Sequence, residues 1–142
     1  MPVYRRGVDL DTFYNARASI AAEASITATS SATGNTCITT GAFTIDNGGT
    51  YEITVFTPYL TKGTTNLDVE LWDGSTFLTS LSGHMTASVL RPGAIFKTFQ
   101  TLGPGAHTLT VKAFVDAGTG KFGADTGATG NAPNAWLLVQ PA

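Results

Sequence analysis

Apolar and polar residues alternate along most of this chain with the two-residue period of a β-strand. Leu109, Val111, Ala113 and Val115 fall on one face, with Thr108, Thr110 and Lys112 on the other. Tyr51, Ile53 and Val55 alternate with Glu52 and Thr54, and Leu67, Val69 and Leu71 alternate with Asp68 and Glu70. Such segments recur from residue 36 onward at 37–43, 50–58, 66–72, 76–81, 84–90, 94–102, 106–115 and 135–140, the rhythm of an all-β sandwich. Turn formers separate them: Asp46-Asn47-Gly48-Gly49, Lys62-Gly63-Thr64, Asp73-Gly74, Ser82-Gly83, Arg91-Pro92-Gly93 and Gly103-Pro104-Gly105. Asp73-Gly74 predicts a tight hairpin, because both residues tolerate the positive φ of primed turns. The expected fold is therefore all-β, an antiparallel β-sandwich, with an eight-stranded jelly roll as its arrangement. In that topology the last strand lies between the first and the third, and 106–115 lies beside 50–58. An immunoglobulin-like sandwich, with Trp72 closing its third strand, is the alternative.

Two regions depart from the alternation. The strand Ala135-Trp136-Leu137-Leu138-Val139-Gln140 is apolar on both faces. It either runs through the middle of a sheet or has its outer face covered by a subunit, which makes Trp136 and Leu138 candidate subunit contacts. Residues 116–134 are rich in Gly, Ala, Thr and Asn with a single aromatic, Phe122, and read as a long loop.

Residues 1–35 differ from the rest and read as an N-terminal arm, extended or short-helical, ahead of a sandwich domain over 36–142. Asp11 at a helix N-cap, followed by Phe13, Ala16, Ile20 and Ala24 at helical spacing, predicts a short helix to about residue 24. Ser30-Ser31-Ala32-Thr33-Gly34-Asn35 then reads as linker. Tyr4, Arg5, Arg6, Phe13 and Tyr14 are residue types enriched where partners bind, so the arm is a candidate docking element.

Composition narrows the function classes. At 142 residues the chain has the length of one domain, and only 13% of it is charged, about half the usual share. Low charge suits a surface covered by neighbours. A net charge of −2 gives no basic stripe for nucleic acid, and no stretch has the length and apolarity of a membrane span. The basic start lacks the apolar run of a secretory signal, so delivery by assembly or cell lysis is expected. The single cysteine, Cys37, forms no intrachain disulfide and reads as a small buried strand residue.

Catalytic chemistry is sparse. Of the two histidines, His107 stands at the entry to a strand and is expected to pin the turn by hydrogen bonding, and His84 reads the same way. No nucleophile elbow, phosphate loop or metal-ligand repeat occurs, and Asp9 with Asp11 supplies too few oxygens for calcium. No enzyme activity, cofactor or metal is expected. Tyr59, Trp72 and Phe122 are the aromatics that could stack on a sugar ring, which makes a carbohydrate-binding module the competing class.

The run 49–55 (Gly-Thr-Tyr-Glu-Ile-Thr-Val), the run 102–111 (Leu-Gly-Pro-Gly-Ala-His-Thr-Leu-Thr-Val), the Gly/Ala-rich loop and the closing Trp136-Leu137-Leu138-Val139 resemble small β-sandwich proteins of tailed bacteriophage virions. The general pattern is also similar to jelly rolls of the C1q/TNF type. The run 4–13, from Tyr4 to Phe13, resembles the start of minor tail and virion structural proteins of actinobacterial phages. The resemblance implies a structural component of a virion assembled in the host cytoplasm, either capsid decoration or minor tail protein. Its partners would be the major capsid or tail proteins, and C1q/TNF-like jelly rolls imply a trimer.

Overall fold

The computed structural model describes residues 4–5, 8–9, 16–20, 22–62, 66–82, 89–90, 93–124 and 133–142. Among them the chain forms strands β1 (Tyr4–Arg5), β2 (Val8–Asp9), β3 (Ala16–Ile20), β4 (Glu23–Ile26), β5 (Asn35–Thr39), β6 (Phe43–Ile45), β7 (Gly49–Thr57) and β8 (Tyr59–Thr61). It continues with β9 (Leu67–Asp73), β10 (Thr76–Ser80), β11 (Val89–Leu90), β12 (Ala94–Leu102), β13 (Gly105–His107), β14 (Leu109–Val115), β15 (Gly120–Gly123) and β16 (Ala135–Pro141). A single 3-10 turn at Ser31–Thr33 is the only helical element among the described residues.

One sheet has the order β12-β7-β16-β3 and a second the order β10-β9-β14-β5, with all pairings antiparallel. A further set, β11-β8-β15-β4, repeats the order of the first sheet; β4, β8 and β11 follow or precede the matching strand within a few residues, and β15 is the strand before β16 in chain order. The first sheet is thus one bent surface. Counted by chain path, its strands run first, eighth, third, sixth, and those of the facing sheet second, seventh, fourth, fifth. This is the jelly-roll order, and it excludes the immunoglobulin alternative.

Close backbone approach makes the bend. Gly93 has φ of 97°, and a Cβ there would collide with the Thr57 carbonyl; Gly123 has φ of 120°, and its Cβ would press on the Ala22 carbonyl. Only glycine fits such positions without strain. The buried Thr57 hydroxyl pins the same line, donating to the Tyr59 carbonyl at 2.8 Å and accepting from the Gly123 N–H at 3.0 Å.

The core lies between the sheets and follows the alternation read from sequence. Ile53, Val55, Leu67, Val69, Leu71, Leu109, Val111, Ala113 and Val115 are fully enclosed. Cys37 is buried as expected; its S–H points at the Asn35 carbonyl, and burial pushes the thiol pKa up to about 12.

The structure corrects several expectations. Residues 16–20 and 23–26 are strands, not a helix: Ala16, Ala18 and Ile20 turn inward while β3 pairs along β16. A stripe of alanines fits either period, and pairing along a whole strand outweighs weak helix propensity. The first strand of the jelly roll is therefore β3–β4, so its order holds while the assignment slips by one. The final strand lies between β3 and β7, and β14 lies between β5 and β9 rather than beside 50–58. Residues 106–115 are not one strand: β13 pairs with β6, and the chain changes sheet at Thr108. Within 116–134, residues 120–123 form β15, whose Phe122 is wholly buried.

Candidate functional site

The outer face of the β10-β9-β14-β5 sheet gathers aromatic and polar side chains. Leu67, Val69 and Leu71 of β9 point into the core, so Glu70 and Trp72 point outward. Trp72 stands opposite Phe77 on β10, with ring centroids 5.7 Å apart and edges turned to faces. On the other side lies β14, and Lys112 places its ammonium 4.3 Å from the centroid of the Trp72 ring. Trp72 Nε1 donates to Glu70 Oε2 at 3.0 Å, and the Ser31 hydroxyl donates to the same oxygen at 2.8 Å. Glu70 is only 7% exposed, and these two donors satisfy its Oε2 within the face. Thr110, the cross-strand partner of Trp72 on β14, joins hydroxyls with Thr39 at 3.1 Å.

The arrangement is an aromatic pair, Trp72 half-buried and Phe77 48% exposed, beside a fixed carboxylate, an ammonium and hydroxyls. It can hold an apolar ring face against the aromatics while polar groups bond the ring's edge. Sequence reasoning found Trp72 and missed Phe77, Glu70 and Lys112. Cross-strand register across two strand pairs decides that these side chains meet, and a single strand's pattern does not contain it.

The other candidates are placed elsewhere. Tyr59 is half-buried on β8, in the bent sheet, and shares no sheet with Trp72. Phe122 is core, which removes it as a sugar platform. Trp136 and Leu138 are half-exposed on the outer face of the first sheet, with the Trp136 ring 5.7 Å from that of Phe56. Tyr4 and Arg5 belong to β1, which pairs with β2. Arg6, Asp11, Phe13, Tyr14 and His84 lie outside the described residues.

His107 pins its turn as expected. Its Nδ1 lies 2.6 Å from Asp73 Oδ2 and its Nε2 lies 2.8 Å from the Gly103 carbonyl. Both neighbours are acceptors, so both ring nitrogens serve best as donors, and the Asp73 hydrogen bond raises the histidine pKa above its usual value. Asp73 Oδ1 also accepts from the Thr108 N–H at 3.0 Å, at the point where the chain changes sheet. Among the described residues no three His, Cys, Asp or Glu side chains converge as metal ligands.

No family model matches this chain, and no curated protein does either. Solved structures offer a distant likeness. The carbohydrate-binding module CBM6cm-2 of Cellvibrio mixtus lichenase 5A, solved with cellotriose, is 14% identical at a TM-score of 0.45, over 84% of this chain and 97% of that one. The C-terminal CBM6 of LamC from Zobellia galactanivorans is 11% identical at a TM-score of 0.43, over 84% of this chain and 99% of that one. At this level of similarity no ligand or residue role is carried over.

Proposed function

We propose that this chain is a non-catalytic carbohydrate-binding module whose platform is the outer face around Trp72 and Phe77. One observation carries the reading: two aromatic rings meet edge to face on the outer sheet face, flanked by Glu70, Lys112 and threonine hydroxyls. A sugar ring offers C–H groups on its face and hydroxyls at its edge. The aromatic faces, electron-rich at their centres, suit the former, while the carboxylate and the ammonium suit the latter. The wild-type chain and its Trp72→Ala and Phe77→Ala variants should be compared on a glycan array. Retention of the wild type on specific glycans, weakened in both variants while circular dichroism stays unchanged, supports the reading; a wild type that binds nothing overturns it.

A second reading is favoured by a different observation. Phe56, Ile95, Phe99, Trp136 and Leu138 leave apolar surface on the outer face of the first sheet, as a protein built into an assembly does. In that reading the chain is a structural protein of a phage virion, seated through residues 1–15. Mass spectrometry of separated heads and tails tests it: presence in either fraction supports a virion role, and absence from both removes it.

A further inference from the structure

Strand β12 closes one edge of the first sheet. It pairs with β7 over nine consecutive residues without a bulge, and among the described residues no strand pairs with its other side. A sheet edge of this kind offers a row of backbone N–H and C=O groups to any extended chain. Folded proteins blunt such edges with bulges, prolines, charges or short length, and the other edges here show these devices. Strand β3 has five residues and carries Arg17, while β10 and β5 are each interrupted by a register shift. In contrast β12 (Ala94-Ile95-Phe96-Lys97-Thr98-Phe99-Gln100-Thr101-Leu102) has no proline and one charge, and its outer face shows Ile95 at 66% and Phe99 at 57% exposure.

We propose that β12 pairs with β12 of a second copy of this chain, antiparallel about a two-fold axis, joining the two first sheets into one. The strand's own residues favour an identical partner. A two-fold centred on Lys97 would set ammonium against ammonium, which disfavours that register. Centred on Thr98, the same operation sets each Lys97 opposite Phe99 of the second copy and each Ile95 opposite its Thr101. Lys97 is half-exposed, held by Glu52 at 3.0 Å, and its ammonium can lie over an aromatic face across the seam. Both cross-strand pairs then occur twice, as two-fold symmetry requires. Pairing along nine residues exceeds the usual strand length and gives Ile95 and Phe99 cross-strand neighbours on the flank that the edge leaves bare.

Analytical ultracentrifugation of the full chain tests this directly. The wild type should sediment at twice the 14.7 kDa chain mass. Phe99→Lys, which places lysines opposite one another across the seam, should halve that mass while circular dichroism stays unchanged. Leu138→Lys, on β16 two strands from the edge, should leave it at the dimer value. Hydrogen exchange supplies a second reading, because backbone amides of 94–102 should gain protection as wild-type concentration rises and lose that gain in Phe99→Lys. A wild-type monomer at the highest soluble concentration, a trimer, or a dimer dissolved by Leu138→Lys alone would overturn the proposal.

Discussion

The two sheets are built from the same alternation of apolar and polar residues, yet their outer faces differ in kind. Around Trp72 the polar atoms are matched within the face: the indole N–H and the Ser31 hydroxyl on Glu70, Lys112 over the ring, Thr39 on Thr110. Across the first sheet the linked polar row Lys97–Glu52–Gln140, with Thr54, Arg17 and Ser19, runs among Ile95, Phe56, Trp136, Leu138 and Phe99. An aromatic surface with fixed donors and acceptors suits a polar ligand, whereas an apolar one beside an unpaired strand edge suits a protein. The sheets differ also in shape, since the glycine approaches at Gly93 and Gly123 bend the first sheet.

Breaking the bend should have the largest effect. Gly93→Ala forces a side chain into the Thr57 carbonyl at positive φ, and should cost more than about 3 kcal/mol in urea unfolding or prevent folding. Gly74→Ala, in the hairpin between β9 and β10, also meets a positive φ of 55° but has open space around its Cβ. It should cost only about 1 kcal/mol. Equal costs for the two would show that the bend depends on something other than close backbone approach.

Separating the faces by ligand comes next. Phe77→Ala should weaken glycan retention about tenfold, equivalent to ~1.4 kcal/mol, with no change in melting temperature. Ile95→Ala should leave retention untouched. If Ile95→Ala were the damaging change, the platform would belong on the other sheet.

A smaller effect concerns the clasp between His107 and Asp73, which holds the turn at 103–108 to the end of β9. The histidine pKa is raised in the fold, so its stabilising contribution is complete below the ordinary value of 6.5 and declines as pH rises through the folded value. Urea midpoints should therefore fall as pH rises above 6.5, and His107→Gln should flatten that slope. An unchanged slope in the variant would show that the clasp is not what titrates. The smallest effect expected is none at all: Cys37, buried and with its pKa pushed up to about 12, should resist iodoacetamide in the native protein and react once unfolded.

Much of the fold was legible because period-2 patterning is local. The inward faces of β7, β9 and β14, the turn after Asp73 and the burial of Cys37 all follow from residues a few positions apart. Phe122 was misread because a strand of four residues among glycines carries too short a pattern to stand out from loop. At 16–26 an apolar set made of alanines with Ile20 and Ile26 left the period undecided, and pairing with β15 and β16, about a hundred residues away, resolved it.

The candidate site was only half legible. Trp72 drew notice by its chemistry, but Phe77 and Lys112 reach it through two different strand pairings, and Ser31 reaches Glu70 from the 3-10 turn. Side-chain alternation by itself determined that this chain builds sheets and which residues line the core, because each strand's two faces are written in consecutive residues. Tertiary structure alone decided which strand stands first, where the sheet bends, which side chains share an outer face and which edge is left open. Those depend on register between distant segments, a long-range choice settled only when all the strands pack at once.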